Sequence, residues 1–371
     1  MRRLFILLVF ALIFPVSLSA AEPMIHVIIA ADGRAGFGAN LVADYKNMER
    51  LFRENVPADR LEMTVMDMDD ITPDKILETV KQVSLNDNDT LVFYYSGHAA
   101  HDTGSGGHYF QLKDTSDKAV ELQRRTLLAA MTDQKARLTV LLTDCCNIEQ
   151  KLSGESKEPS SARSVTKSPE KMSPIFETLF VKAEGTVDIT SSKRGEASFV
   201  DATAKKRGSC FTWPLVALLE KHRDNEEMTW PDFVEELRTD VQKAFLDSYP
   251  DGFKFDPPLN GITVQKSQTV EVYGTLPGEK EQPTVANRGP RFGVRAVTHH
   301  GGVRVTEIVP NGPGAKAGFE IGDLIVEING VPVRNEQEYA TAVDESPKKM
   351  NAKVVNVNDG RTINVTFDLG Y

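Results

Sequence analysis

The chain has 371 residues, a formal net charge of −10, 40% hydrophobic and 26% charged residues, and three cysteines. That length leaves room for two or three domains, and the composition is that of an ordinary globular protein rather than a fibrous or disordered one. The acidic balance argues against a nucleic-acid partner, and an odd, small cysteine count argues against a disulfide framework.

Residues 1–21 read as a signal peptide. Arg2-Arg3 supplies the basic start, Leu4 to Val16 an apolar run, and Ser19-Ala20-Ala21 small residues for cleavage. The run is short for a membrane span; an uncleaved anchor is the alternative. No other segment approaches transmembrane length, so the expectation is an exported bacterial protein, periplasmic or extracellular, with no stable membrane span after cleavage. In such a compartment at least one of Cys145, Cys146 and Cys210 stays unpaired within the chain, which fits a reactive thiol better than a structural staple.

In chain order, Met24 to Ala31 reads as a first strand. Leu41, Tyr45, Met48 and Phe52 then recur at helical spacing, predicting a helix over Ala39 to Glu54. Arg60 to Met66 is a second strand. Thr72-Pro73-Asp74 is an N-cap, a first-turn proline and a first-turn acid, opening a helix that turns Ile76, Leu77, Val80 and Val83 inward. A third strand, Thr90–Tyr95, leads to a glycine-rich loop and a short strand at His108–Leu112. A helix around Arg125–Gln134 leads to the strand Arg137–Thr143. Alternating strands and helices predict a mostly parallel α/β sheet flanked by helices.

Gly154 to Ser173 is rich in Ser, Lys, Glu and Pro and reads as a flexible loop. The cations of the loop after Cys146, Lys151, Lys157, Arg163, Lys167 and Lys171, suit a solvated linker or a self-cleavage site. Order resumes with Ile175–Val181, a strand at Thr186–Ser191, helices over Phe211–Lys221 and Thr229 to about Ser248, and an edge strand at Thr269–Tyr273. The first domain therefore spans 22–274. Residues 275–289 form a linker, and 290–371 a small, mostly β module with short strands at Val303–Val309, Leu324–Ile328, Lys353–Val357 and Thr362–Phe367.

The chemistry gathers at two strand ends. Leu91-Val92-Phe93-Tyr94-Tyr95 runs into Ser96-Gly97-His98, and Leu138-Thr139-Val140-Leu141-Leu142 runs into Thr143-Asp144-Cys145-Cys146. Ligands bind beyond the carboxyl ends of such strands. A nucleophilic thiol needs a base and donors for an oxyanion, and His98, Cys146 and the backbone N–H groups of Ala99 and Cys146 supply these if the strands are neighbours. The 48 positions from His98 to Cys146 approach the roughly 50-residue spacing of caspase-type proteases. Zinc binding by His98, His101, His108, Cys145 and Cys146 is a weaker alternative, because the histidines lack a metal-ligand spacing. Adjacent Cys145 and Cys146 could instead close a strained disulfide.

The segments Phe93-Tyr-Tyr-Ser-Gly-His-Ala99 and Leu141-Leu-Thr-Asp-Cys-Cys-Asn147 resemble the two signatures of the caspase–metacaspase superfamily, Tyr-Ser-Gly-His-Gly and Asp-Ser-Cys-His. Segments 189–198 and 209–215 are similar to later stretches of that family. The resemblance implies a caspase-like fold and a cysteine endopeptidase with His98 as base and Cys146, rather than Cys145, as nucleophile. It implies a substrate pocket at Asp44, Ser96 and Asp144, favouring Arg or Lys before the cut. A solvated helix acid is the plain alternative for Asp44. No cofactor is required for the chemistry, and calcium is implied only as an activator. Two positions depart from the family: its glycine after the histidine is Ala99, and its histidine after the cysteine is Asn147. A left-handed backbone at Ala99 would cost about 1 kcal/mol or more.

Residues 291–295 and 302–330, with Ala317-Gly318 followed by Ile321-Gly322-Asp323-Leu324-Ile325, resemble a bacterial PDZ domain. That implies binding of peptide C-termini or extended segments by strand addition, with the carboxylate captured at Phe292, Gly293 and Val294. The expected partners are thus protein or peptide substrates at the first domain and peptides at the second. The alternative from another class is a catalytically silent caspase-like scaffold that binds through its PDZ groove.

Overall fold

The structure, a computed structural model, describes residues 22–32, 39–66, 71–101, 108–116, 118–148, 168–203, 207–259, 261–279, 292–299, 301–344, 346 and 348–369. Residues 1–21, read above as a signal peptide, residues 154–167 of the predicted loop and residues 280–289 of the predicted linker lie outside these. Among the described residues no helix is long and apolar enough to cross a membrane.

The first domain contains β1 (Ile25–Ala31), β2 (Leu61–Val65), β3 (Thr90–Ser96), β4 (Ala99–His101), β5 (His108–Lys113), β6 (Ala119–Gln123), β7 (Leu138–Asp144), β8 (Gly185–Thr190), β9 (Phe253–Leu259), β10 (Ile262–Gln265) and β11 (Glu271–Val272). Its main sheet has the order β11-β8-β7-β3-β1-β2. All neighbours are parallel except the edge strand β11, which runs antiparallel to β8. β1, β3 and β7 are buried along their whole length, as the near-continuous apolar runs of a two-sided parallel sheet require.

Helices cover both faces. On one lie α1 (Ala39–Asn55), α4 (Pro174–Phe176, continuing as a π-helix over Glu177–Lys182), α5 (Thr212–Lys221) and α6 (Trp230–Ser248); on the other lie α2 (Pro73–Gln82) and α3 (Arg124–Thr132). α2 starts as expected, with the Thr72 hydroxyl accepting from Lys75 N–H at 3.2 Å and Pro73 in the first turn.

The sequence reading missed the antiparallel pieces. His108–Lys113 does not join the parallel sheet; β4, β5 and β6 form a separate three-stranded antiparallel sheet, and β9 and β10 form a two-stranded one. β6 reads Ala-Val-Glu-Leu-Gln and is half exposed, so it has no long apolar run to reveal it.

The second module is antiparallel, in the order β12-β13-β14-β16-β17, with β15 paired to β14. Its strands are β12 (Val294–His299), β13 (Gly302–Ile308), β14 (Leu324–Ile328), β15 (Val331–Pro332), β16 (Lys349–Val355) and β17 (Thr362–Asp368), with α7 (Pro313–Lys316) and α8 (Glu336–Asp344). The fold is therefore a mostly parallel α/β domain plus a small, mostly β domain.

Candidate active site

Strand register is the first determinant of the site. β3 and β7 pair in parallel from Thr90↔Leu138 to Ser96↔Asp144. The offset is 48 positions throughout, the same as that between His98 and Cys146. Each residue lies two positions beyond its strand's last paired residue. The two chains stay together past that point: Gly97 N–H donates to Asp144 O at 3.3 Å, and His101 N–H to Ile148 O at 2.6 Å.

Alternation is the second determinant. Leu138, Val140 and Leu142 face the core under α1, α5 and α6, whereas Leu141 and Cys145 face the core under α2 and α3. Asp144 and Cys146 continue the first parity. The two adjacent thiols are thus turned to opposite sides of the sheet. Among the described cysteines all three are free and buried.

A narrow pocket of about 30 Å³ has a wall that includes Asp44, Ser96, Gly97, Asp144, Cys145, Cys146 and Ser198. The three predicted pocket residues, Asp44 from α1, Ser96 from β3 and Asp144 from β7, therefore meet in one place. Asp44 is 2% exposed, so it is not a solvated helix acid. Its Oδ1 accepts from Ser209 N–H at 2.8 Å and its Oδ2 from the Ser96 hydroxyl at 3.3 Å. Asp144 accepts from the hydroxyls of Ser198 at 2.9 Å, Thr212 at 2.6 Å and Ser209. Gly208 makes the Asp44 contact feasible: it has φ +115°, and a Cβ there would collide with Asp44 Oδ1.

Burial sets the charge states. Asp44 is held well above the ordinary carboxylate range, first by desolvation and then by the neighbouring Asp144 charge, against the opposing bonds from Ser209 and Ser96. Asp144 is also raised by burial, but Ser209, Thr212 and Ser198 oppose it. Asp44 is therefore the proton holder of the pair, and Asp144, with three hydroxyl donors, the better anion. Burial pushes the Cys146 thiol up to about 11, with Ser198 N–H lowering it and Asp144 raising it. Ser198 N–H lies 3.4 Å from Cys146 Sγ. Burial pushes Cys145 higher still.

His98 is half-buried, and its carbonyl accepts from Gln111 N–H at 3.0 Å and the Tyr95 hydroxyl at 2.9 Å. Ala99 lies in β4, opposite Phe110, and is not among the positive-φ residues. The left-handed strain anticipated for alanine is absent. The Gln111-to-His98 bond makes Ala99–Phe110 a non-hydrogen-bonded pair, so the Ala99 N–H faces away from β5. Two residues on, the His101 N–H of the same parity donates to Ile148 O, so this edge of β4 lies along the segment after Cys146. Asn147 anchors a loop: its Nδ2 donates to Ser192 O at 3.3 Å and Tyr273 Oη at 3.1 Å, its N–H to Glu196 O at 2.9 Å, and its carbonyl accepts from Gly195 N–H at 2.7 Å.

Sequence reasoning weighed His108 only as a zinc ligand and singled out none of Ser191, Ser192, Ser198, Ser209 and Thr212 as a site residue. His108 Nε2 lies 2.8 Å from Cys146 O and 3.7 Å from Cys145 Sγ. Desolvation, with Arg124 and His101 adding to it, lowers His108 to about 3, so it is neutral. Its Nε2–H is therefore the donor to that carbonyl, and the same nitrogen has no lone pair for the Cys145 thiol. Arg124 forms a buried ion pair with Asp188 and stacks over Tyr273, 5.1 Å from the ring centre. Hydroxyl partners of a carboxylate carry no periodic signal, which is why they were invisible.

In the second domain, Phe292 is buried against Phe319 and Phe367, and Gly293 has φ +71°. The carbonyls of Phe292 and Gly293 are turned inward onto Gly314 N–H and Val309 N–H, both at 2.8 Å. Planar peptides then turn the N–H groups of Gly293 and Val294 the other way, as an anion nest requires. The neighbouring edge of β12 is occupied from within: the Tyr339 hydroxyl donates to Val294 O at 2.7 Å, and Thr298 N–H donates to Glu336 Oε1 at 3.1 Å. Arg334, just before α8, donates to Glu271 of β11 at 2.9 Å.

The caspase domain family model matches residues 38–282, and a PDZ domain model matches 304–355. The chain is 27% identical over 118 residues to the periplasmic serine endoprotease DegP of Escherichia coli K12, covering 32% of this chain and 25% of that protein. It is 31% identical over 68 residues to a probable periplasmic serine endoprotease DegP-like of Rickettsia conorii, covering 18% and 13%. It is 32% identical over 81 residues to the magnetosome formation protease MamE of Magnetospirillum gryphiswaldense, covering 22% and 10%. The chain thus spans a quarter or less of these relatives' length. Among solved structures, the HtrA3 PDZ domain bound to a phage-derived ligand matches at 27% identity, covering 21% of this chain and 81% of that one, with a TM-score of 0.19.

Proposed function

The chain belongs to the caspase-domain family and carries a PDZ domain behind it, and on that premise we propose an exported cysteine endopeptidase that cuts after Arg or Lys. Cys146 is the nucleophile, His98 the base, and the N–H groups of Ala99 and Cys146 hold the oxyanion. The observation that supports the reading is the parallel pairing of β3 with β7 up to Ser96↔Asp144, whose 48-residue offset is also that of His98 and Cys146, together with a two-carboxylate pocket lined by Cys146. Export rests on the signal-like start and on the periplasmic relatives.

The chemistry follows from the charge states. With Cys146 near 11 the resting thiol is neutral, so His98 takes its proton as Sγ attacks the substrate carbonyl. The Sγ–C bond forms, the carbonyl electron pair moves to oxygen, and collapse breaks the C–N bond while His98 returns the proton to the leaving amine. Water then hydrolyses the thioester and restores the thiol. Burial is the main cause of the raised thiol pKa, and a substrate cation beside Asp144 offsets the charge that adds to it. Substrate binding and thiol activation are coupled in this way. The PDZ domain binds peptide C-termini or extended segments at Phe292, Gly293 and Val294. Calcium is retained as an activator on the strength of the family resemblance.

Paired fluorogenic peptides with Arg or Asp at the cut test this, using wild type and Cys146→Ala with and without calcium and reductant. The Arg peptide is cleaved, the Asp peptide is not, and the variant is inert. Absence of cleavage under every condition would favour the silent scaffold; unchanged cleavage by the variant would move the nucleophile to Cys145.

A further inference from the structure

Cys146 sits between two peptide planes, and buried side chains hold both. Behind it, the Cys145 carbonyl accepts from the Ser192 hydroxyl at 2.9 Å and the Ser191 hydroxyl at 3.1 Å. Ser191 Oγ also accepts from Cys145 N–H at 3.0 Å. Ahead of it, the Cys146 carbonyl accepts from neutral His108 at 2.8 Å. Ser191 and Ser192 are fully buried, so water does not compete for these bonds.

A trans peptide is planar, with its C=O and N–H pointing in opposite directions. The plane that carries the Cys145 carbonyl also carries the Cys146 N–H. Two hydroxyls on one end therefore fix the direction of the other. No backbone carbonyl of the described residues accepts from the Cys146 N–H. We infer that Ser191 and Ser192 are positioning residues that aim the Cys146 N–H at the oxyanion, with His108 fixing the plane on the far side of the nucleophile. This rests on the proposed peptidase reading and deepens it.

The support around the serines is built for rigidity. Ser191 N–H donates to Thr143 O at 2.9 Å, Gln268 Nε2 donates to Ser191 O at 3.2 Å, and Asn147 Nδ2 to Ser192 O. Asn147, a departure from the family pattern, thereby steadies the serine pair that steadies Cys146. An oxyanion donor works only if it needs no reorganisation when charge develops, and misplacement by about 1 Å costs on the order of a hundredfold.

The test separates oxyanion placement from thiol reactivity. A peptidyl-argininal aldehyde forms a tetrahedral adduct and needs the donor, whereas iodoacetamide needs only the thiol. In Ser192→Ala and Ser191→Ala, kcat and aldehyde affinity fall about tenfold to a hundredfold. KM and the iodoacetamide rate change less than about twofold, and Ser192→Thr, which keeps the hydroxyl, restores both lost quantities. Thermal unfolding confirms that each variant is folded. Unchanged kcat and aldehyde affinity in both folded alanine variants would overturn the inference. So would a parallel fall in iodoacetamide rate, which would mean the thiol itself had moved. Wild type that neither cleaves nor binds the aldehyde would overturn the peptidase reading, and this inference with it.

Discussion

The pocket beside Cys146 presents side chains, whereas the edge of β12 presents backbone. In the pocket, two buried carboxylates are held by the N–H of Ser209 and the hydroxyls of Ser96, Ser198, Ser209 and Thr212. At β12, a backbone carbonyl and a backbone N–H are held by Tyr339 and Glu336 of α8. Both regions satisfy these polar groups before any ligand arrives; for the pocket carboxylates and the Val294 carbonyl the reason is burial, since buried groups without partners are costly, whereas the Thr298–Glu336 bond is exposed. The difference lies in what a ligand must displace. A cation in the pocket adds to existing bonds and changes only a protonation state. A peptide strand at β12 must replace two bonds that the domain already makes.

Substitutions at Asp144 break the comparison most sharply. Asp144→Asn removes the better anion and leaves three hydroxyl donors facing a neutral amide. It should lower kcat/KM for an Arg peptide by about a hundredfold while leaving binding at the PDZ domain unchanged; steady-state kinetics and peptide titration check the two halves.

A smaller effect comes from Asp44. Its folded pKa is raised, so the stability it contributes is present at low pH and lost as pH rises through the raised value. Asp44→Asn should therefore raise Tm near pH 8 by about 2–4 °C and leave Tm little changed in acid. A cation favours the ionised form, so binding an Arg-containing ligand releases a proton. Calorimetry in buffers of different ionisation enthalpy reads that release, which Asp44→Asn abolishes.

The smallest effect sharpens the other side. Tyr339→Phe removes the internal donor on Val294 O, and a C-terminal peptide should then bind about fivefold more tightly, the equivalent of roughly one hydrogen bond. Weaker binding would mean that the tyrosine assists the peptide instead of competing with it.

How much of this was legible follows from the type of signal. β1, β3 and β7 are buried on both faces, and their apolar runs announce them. The choice of Cys146 over Cys145 came from the family motif; the packing of Cys145 with Leu141 under α2 and α3 was seen only in the structure. Asp44, Ser96 and Asp144 were reachable through the family resemblance, and they do meet. β6 and β12 were missed because half-exposed strands alternate without a long run. The roles of Ser191, Ser192 and His108, the last weighed only as a zinc ligand, were missed for a deeper reason. Each donates a hydrogen bond to a backbone carbonyl distant in sequence, and nothing in local composition marks such a bond.

The most direct measurement is to label the wild-type chain with a chloromethyl ketone that carries Arg next to the reactive carbon, and to map the adduct by peptide mass spectrometry. The account predicts a single adduct on Cys146, slowed by excess free Arg peptide, and little labelling by the matching Asp reagent. An adduct on Cys145, or equal labelling by the two reagents, would contradict it.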